Sequence, residues 1–317
     1  MGQFATLRTR KIANFEELSE VVLGSRREIV QLEHGRMKGE ITHASIGNLP
    51  IDIASFNLGI RTKGELHKDR IAIGMLASSR HHAVRSSYES RPGDVLVMQP
   101  GCEHESRYYG GASVIVVIAS ADDIESSFGM EARMRDPSSW WGKHYKGNAE
   151  MVTSVIPRLQ SLLSRLSDAS LTAEAAEFWK REVLEAVTSN VVPGIPSERD
   201  GPLPSALKVV GQVEEYLESR PAEPAHISQI CRQLHVSRRT LHRAFHEALG
   251  VGPIAFLRYR RLCAVHTALR APKDIRTISD IAMQFGFQNL GRFAGYYHRL
   301  FGEYPSQTRR HHLASLV

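Results

Sequence analysis

Two stretches near the C-terminus share one pattern of hydrophobic positions. In each, apolar residues at spacings of three and four predict a short helix, a turn and a longer helix. The first stretch carries Ile227, Ile230, Leu234, Leu241, Ala244, Phe245, Ala248 and Leu249, then Gly250 and Pro253. The second carries Ile278, Ile281, Phe285, Phe293, Tyr296, Tyr297, Leu300 and Phe301, then Gly302 and Pro305. The offset is 51 residues across the first helix and 52 across the second, so the pattern predicts two helix-turn-helix modules.

A further helix is predicted between the modules. From Pro253 to Arg270, apolar residues recur at helical spacing with arginines between them. A helix of about 17 residues is roughly 25 Å long. This length approaches the ~34 Å spacing of successive major-groove faces in duplex DNA, so one chain could present both modules to two turns of DNA.

The pattern between about Arg26 and Ser120 is that of β-strands. Short runs of β-branched and apolar residues occupy 51–60, 70–77, 94–100 and 113–120. Breaks that contain Gly, Pro or Ser separate the runs. Many short strands at close intervals predict a barrel or a sandwich.

Two amphipathic helices are predicted between about Asn148 and Val191. Their apolar faces carry Met151, Val155, Leu159, Leu162, Leu163 and Leu166 in the first, and Leu171, Ala175, Phe178, Val183, Leu184 and Val187 in the second. This hairpin either covers the β region or pairs with its copy in a second chain, because an apolar stripe serves both purposes. Four prolines and two glycines in Val192–Pro204 predict a linker.

Charge differs between the two halves of the chain. The whole sequence has 40 Lys and Arg against 34 Asp and Glu. Residues 205–317 hold 16 of the basic and 8 of the acidic residues, a net charge of +8, which leaves −2 on residues 1–204. A basic helical repeat implies a polyanionic partner, and double-stranded DNA is the usual one.

The second helix of the first module predicts a face that contacts DNA. Ser237 follows the turn and is the predicted N-cap, and the helix begins at Arg238. With the apolar positions turned inward, the opposite side carries Arg239, His242, Arg243 and His246. Arginine can donate two hydrogen bonds to guanine, worth about 1–3 kcal/mol of discrimination. A merely solvated charged face is the alternative, which the repeat and the charge asymmetry disfavour.

The second module differs on the same face. Gly291, Ala294 and Gly295 stand where the first module has Arg239, His242 and Arg243. The polar residues left there are Gln288, Asn289, Arg292, His298 and Arg299. Two glycines inside a helix cost roughly 1 kcal/mol each against alanine. Either a close approach of the backbone to DNA or tight packing on a neighbouring helix would offset that cost, and the first module should read more sequence than the second.

Residues 205–312 resemble the DNA-binding domain of the AraC/XylS family of bacterial transcription regulators. The matching residues are Ile227, Ser237, Leu241, Arg243, Phe245, Gly250, Pro253, Arg261, Ala264, Leu269, Ile278, Ile281, Ala282, Gly286, Phe287, Phe293, Phe301, Gly302 and Pro305. The second recognition helix departs from the family pattern, with Gly295 for the usual Arg, Tyr297 for Phe and His298 for Lys. It looks like a subgroup that includes ethanolamine-utilisation regulators.

The resemblance implies an N-terminal cupin-like domain that binds a small effector or mediates dimerisation. Residues 93–104, which end at His104, resemble the second conserved box of cupins. Cupin enzymes usually add an early His-x-His, but His67 stands alone here and His81 and His82 are adjacent, on opposite faces of a predicted strand. We therefore expect no metal and no cofactor, and His104 is a packing or ligand-contacting residue. A cupin-type metal-dependent enzyme with a DNA-associating tail is the alternative function.

The expected fold is thus multidomain α+β. It comprises a cupin-like effector-sensing β-barrel domain over 1–147, a helical hairpin over 148–191 with a possible dimerisation role, a linker over 192–204, and an all-α domain over 205–317. We expect helices 237–249 and 289–301 to enter successive major grooves. The expected partners are double-stranded DNA, an unknown small-molecule effector, a second copy in a homodimer and, for an activator, RNA polymerase. No apolar run reaches the ~18 residues of a membrane helix and the N-terminus lacks the apolar core of a secretion signal, so the expected location is cytoplasmic. Three scattered cysteines without CxxC spacing fit packing roles.

Overall fold

The computed structural model describes residues 4–20, 26–66, 68–128, 136–165, 171–192, 194–198, 204–220, 226–271 and 276–314. Their contacts divide the chain into two compact units. We call the first the β unit; it comprises Met1–Ile29, Met37–Leu58 and Thr62–Arg199. We call the second the helical unit; it comprises Val30–Arg36, Gly59–Arg61 and Asp200–Val317.

Twelve strands are described. They are β1 (Ala5–Ile12), β2 (Arg26–Gln31), β3 (Gly39–Ile46), β4 (Leu49–Phe56), β5 (Ile60–Glu65), β6 (Ile71–Ser79), β7 (Ala83–Arg85), β8 (Tyr88–Ser90), β9 (Val95–Met98), β10 (Glu103–Tyr108), β11 (Ala112–Ala119) and β12 (His144–Tyr145). A seven-stranded sheet has the order β1-β3-β4-β11-β6-β9-β12, and a five-stranded sheet has the order β2-β5-β10-β7-β8.

All four predicted β runs form strands, but three expectations need correction. The described strands make two open sheets where we expected a single barrel, because apolar runs identify strands without fixing their pairing. Strand β1 was missed, although each of its eight residues pairs with β3. Only its two end residues, Ala5 and Ile12, are buried, and the exposure of the residues between them alternates only weakly. The sequence of β1 therefore lacks the alternation of apolar and polar residues that predicts a strand. The run at 51–60 also divides, with β4 ending at Phe56 and β5 beginning at Ile60.

Helices cover part of the β unit. They are α1 (Ala121–Phe128), α2 (Ile156–Arg165), which continues a π-helical turn at Met151–Val155, and α3 (Ala173–Thr188). Val183 and Leu184 of α3 are fully buried with the strands of the seven-stranded sheet. Lys180 of α3 pairs with Asp123 of α1 at 2.9 Å. The hairpin therefore does cover the sheet, but Phe178, expected on its inner face, is 56% exposed.

The helical unit repeats one arrangement twice. Its helices are α4 (Pro204–Glu218), α5 (Ile227–Gln233), α6 (Arg238–Leu249), α7 (Pro253–Leu269), α8 (Ile278–Gln284), α9 (Leu290–Phe301) and α10 (Pro305–Ala314). Left-handed backbone occurs at the turn before α6, at His235, and at the turn before α9, at Gly286. It recurs at the C-caps Gly250 and Gly302, with φ of 62° and 69°. These matched turns make α5–α6 and α8–α9 equivalent pairs, and the predicted 17-residue helix between them is α7.

Candidate nucleic-acid interface

Helix α6 begins at the predicted residue, Arg238, and its predicted polar face is exposed to solvent. The Ser237 hydroxyl accepts a hydrogen bond from the Thr240 N–H at 3.0 Å, which caps the helix. Leu241, Phe245 and Leu249 are completely buried. On the opposite side the structure exposes all six predicted residues, which are Ser237, Arg238, Arg239, His242, Arg243 and His246. A basic surface one helix face wide is the arrangement that can enter a major groove.

The start of α7 lies beside this face, a feature that the sequence did not indicate. Gly252 is the N-cap of α7. A Cβ at Gly252 would lie 3.4 Å from His246 Nε2 and 3.6 Å from His242 Nδ1. A side chain at position 252 would thus be in ordinary van der Waals contact with both imidazoles, so the start of α7 lies at the edge of the exposed face of α6.

Helix α9 presents a face with little side chain. Asn289 caps it, with the Oδ1 atom accepting from the Arg292 N–H at 3.0 Å. A Cβ built at Gly295 meets nothing within 4 Å, and one at Gly291 meets only Asn289 Oδ1 at 3.6 Å. Within the described part of the chain, packing on a neighbouring helix therefore does not explain either glycine. That leaves close approach to a partner outside this chain as the interpretation to be tested.

The other predicted residues of the second module are also at the surface. Gln288, Asn289, Arg292, His298 and Arg299 are all exposed. His298 stacks on Tyr304, with ring centroids 4.4 Å apart. This stacking restricts the movement of the His298 imidazole, and Gly291 and Gly295 on the same helix stay exposed.

Two arginines of α7 add to the charge of the helical unit. Arg258 lies over the Tyr296 ring at 4.1 Å, and Arg261 lies over the Phe287 ring at 5.3 Å. Desolvation, and then the charge of Arg258, lower the pKa of the Arg261 guanidinium. The guanidinium stays charged at neutral pH, but its partial burial costs solvation free energy that a nearby phosphate would offset.

The β unit contains a cavity of about 650 Å³. Its lining combines apolar and aromatic side chains with polar ones, including Tyr88, Met98, Gln99, Trp141 and Lys143. A volume in this range suits a small organic molecule, since ligand pockets span roughly 300–1,000 Å³. No single run of the sequence indicates this cavity, because its lining comes from separate strands and loops.

His104 lies behind this cavity. Its Nε2 atom is 3.0 Å from Ser106 Oγ, and its Nδ1 atom is 3.3 Å from Ser86 Oγ. His104 is buried, and Ser86 lines the cavity. The structure therefore places the predicted ligand-contacting histidine one side chain away from the cavity, where it orients Ser86.

A second buried polar group supports the cavity wall. The Tyr88 ring stacks on His144 at 5.1 Å, and His144 Nε2 is 3.3 Å from Asp94 Oδ2. Desolvation alone raises the pKa of Asp94, but hydrogen bonds from His144 and from the N–H groups of Gly147 and Arg91 together bring it below its usual value. The Asp94 carboxylate is thus held ionised inside the β unit.

The remaining histidines do not form a metal site in the part of the chain that the structure describes. No group of three or more His, Cys, Asp or Glu side chains is arranged there to hold a metal ion. His67 lies outside the described residues. His81 and His82 were expected on a strand, but they occupy the turn between β6 and β7, because β6 ends at Ser79. No helix in the described ranges is both long and apolar enough to span a lipid bilayer.

Comparisons with known proteins identify the family. A family model described as a helix-turn-helix domain matches residues 230–311. The XylDLEGF operon transcriptional activator of Pseudomonas putida is 34% identical over 130 residues, which are 41% of this chain and 38% of that protein. The XylDLEGF operon transcriptional activator 2 of Pseudomonas putida is 33% identical over 143 residues, which are 44% of this chain and 87% of that protein. The chain belongs to the AraC/XylS family.

One solved structure is similar in sequence to part of this chain. A probable AraC family transcriptional regulator from Rhodopseudomonas palustris is 35% identical, covering 33% of this chain and 97% of that one, with a TM-score of 0.31. The chain matches about two fifths of the length of the first activator, 38%. The matches to the two Pseudomonas putida activators confirm the family resemblance of residues 205–312, and the ethanolamine-utilisation subgroup stays a prediction.

Proposed function

We propose that this AraC/XylS-family protein is a sequence-specific DNA-binding transcription regulator. Its activity is that of an effector-responsive activator, in which α6 and α9 enter successive major grooves. The exposed basic face of α6 carries the proposal. Arg239 and Arg243 are exposed one turn apart on a helix whose opposite face is completely buried. Relatives named as operon transcriptional activators support activation.

The two modules contribute differently in this proposal. Helix α6 reads bases through its arginines and histidines, as bidentate donors to guanine do. Helix α9 contributes a close backbone contact at Gly291 and Gly295, with Arg292 and Arg299 available for phosphates. The finer architecture belongs to the proposal as well: both pairs, α5–α6 and α8–α9, are helix-turn-helix modules.

The experiment is selection of bound duplexes from a random library by the full chain, followed by fluorescence anisotropy. Arg239→Ala and Arg243→Ala should each weaken binding and relax the preference at one or two positions, at about 1–3 kcal/mol per lost contact. Arg220→Ala is the matched control, because that exposed arginine is engaged with the Tyr216 hydroxyl at 2.8 Å. Uniform weakening on every duplex would assign the arginines to phosphates, and no enriched sequence would refute the function.

The β unit supplies the effector site in this proposal. The cavity beside Tyr88 and Trp141 is the binding site, within the N-terminal cupin-like domain that the family resemblance implies. Gln99 lies at the exposed edge of the lining. Gln99→Trp should fill the cavity without disturbing the core, so compounds that raise the melting temperature of the wild type should fail to raise that of the variant. Equal shifts in both proteins would place the effector elsewhere.

We also propose that the chain forms a homodimer through the helical hairpin. A groove of about 640 Å³ runs along α2 and α3, lined by Leu162 and Trp179 and by charges of both signs. Such a surface can be complementary to its own copy across a two-fold axis. Phe178 is 56% exposed beside Trp179. Phe178→Glu should give a monomer in sedimentation velocity, whereas Ile195→Glu, at an apolar residue that is 89% exposed, should leave the dimer intact.

A further inference from the structure

The C-terminal end of α9 is held from outside the helix-turn-helix repeat. The last carbonyls of a helix have no partner within the helix. The carbonyl of Leu300 accepts two hydrogen bonds from the stretch Val30–Arg36, one from the Gly35 N–H at 2.9 Å and one from Gln31 Nε2 at 2.8 Å. Gly35 has φ of 131°, a backbone conformation that favours glycine. This conformation directs the Gly35 N–H toward the end of α9.

The Gln31 side chain links the turn at residues 31–35 to helix α9. It is buried, and besides Leu300 its Nε2 atom lies 2.8 Å from the Glu33 carbonyl and 2.9 Å from the Gly35 carbonyl. One amide group therefore shapes the 31–35 turn and bonds α9. A buried amide whose acceptors are all in place is costly to displace.

The same turn meets the helical repeat at two more places. The Arg36 guanidinium donates through Nε to the Gly302 carbonyl at 3.2 Å. A Cβ at Gly302 would lie 2.9 Å from the Arg36 side chain, so the turn lies directly against the C-cap of α9. His34 Nε2 is 3.0 Å from the Tyr259 hydroxyl of α7.

A second stretch, Gly59–Arg61, anchors α4. The buried Arg61 guanidinium makes a bidentate pair with Glu214, with Nη2 to Oε2 at 2.9 Å, and lies 5.4 Å from the Phe256 ring of α7. The Gly59 N–H donates to Glu33 Oε2 at 2.8 Å, which links the two stretches. Together they bond α4, α7 and α9.

We propose that Gln31, with Gly35 and Arg36, positions the second recognition helix on DNA. This inference rests on the proposed function. Helix α9 has 12 residues and is about 18 Å long. If its C-terminal end were released, a tilt of about 10° about the N-terminus, which Asn289 caps, would move the released end by roughly 3 Å, well beyond the ~0.5 Å tolerance of a binding constellation. The two glycines of α9 weaken the helix, so an external anchor at its end supplies orientation that its own sequence does not.

The test uses the full chain and a duplex that the wild type enriches from a random library. Gln31→Met keeps the side-chain length and removes the bond to Leu300. We expect its affinity to fall 5- to 20-fold on the intact duplex and to equal that of the wild type on a duplex whose second half-site is scrambled. Arg36→Met, at a half-exposed residue, should cause a smaller loss confined to the same half-site. The matched control is Gln212→Met in α4, a glutamine whose side chain makes no hydrogen bond within the described residues.

Hydrogen exchange without DNA separates this inference from the proposed function. Amides in the last turns of α9 should exchange faster in Gln31→Met than in the wild type, with those of α6 unchanged. Unchanged exchange in α9, or an equal loss of affinity on both duplexes, would overturn the positioning role. If the wild type enriches no sequence while exchange in α9 does change, the proposed function fails and the anchor stands.

Discussion

Substitutions at Gly295 can distinguish between the two explanations for this glycine, which are close approach to DNA and packing on a neighbouring helix. A glycine inside a helix costs about 1 kcal/mol relative to alanine. A Cβ at Gly295 meets nothing within 4 Å, so no clash opposes that gain. We therefore expect Gly295→Ala to raise the free energy of unfolding of the helical unit by up to about 1 kcal/mol, measured by thermal melting without DNA.

Binding should respond in the opposite direction. If the α9 backbone lies against DNA, any side chain at position 295 would enter that contact. We expect Gly295→Leu to abolish binding to the enriched duplex, a loss of at least about 100-fold or 2.8 kcal/mol, while the melting temperature stays level or rises. Fluorescence anisotropy on folded protein measures the loss.

Gly211 in α4 provides the matched control. A Cβ there also meets nothing within 4 Å, so Gly211→Leu tests the effect of a new side chain on an open helical position. It should leave the affinity for DNA unchanged. Wild-type affinity in Gly295→Leu would refute the close approach, and a lower melting temperature would reveal a packing partner that the structure does not show.

Three other predictions concern charge. If six or more phosphates are neutralised, affinity should fall at least about 10³-fold between 50 and 200 mM salt, and a flat anisotropy series would contradict this. The pKa of Asp94 is lowered from its ordinary value of 3.8, so its contribution to the free energy of unfolding is present above that pH and is lost as the pH falls through the lower folded pKa. Asp94→Asn should therefore lower the free energy of unfolding by about 1.5–3 kcal/mol at neutral pH. A deficit in the variant that does not shrink on acidification would contradict this linkage. Lys180→Met should cost about 1.5–3 kcal/mol in denaturant unfolding, because it removes the cation 2.9 Å from the buried Asp123 carboxylate, which keeps its hydrogen bonds from Ser120. Adding Asp123→Asn should recover part of that loss; no recovery would assign the loss to packing.

The sequence predicted the helical repeat because its signals are local. Apolar spacing, the Ser237 cap and the glycines after α6 and α9 each act within one or two turns of helix. They were enough to predict which side of α6 and α9 is exposed. The two explanations for Gly291 and Gly295 could not be separated in the same way, because the choice depends on which atoms surround each Cβ.

What the sequence did not reveal depends on distant partners. Strand β1 is defined by its pairing with β3 and buries only its two ends. Gln31 and Arg61 carry no local signal for their roles, since their partners Leu300 and Glu214 are 269 and 153 residues away. The cavity is lined by residues from several strands and a loop, so no single run of sequence could indicate it.

The long separation between Gln31 and Leu300 sets the order of events during synthesis. Translation proceeds at about 5–20 residues per second, so a partner 269 residues downstream arrives roughly 13 to 54 seconds later. Gln31 and the turn after it therefore lack their helical partner for that interval. The anchor at the end of helix α9 can form only after Leu300 has left the ribosome, whatever has folded before it.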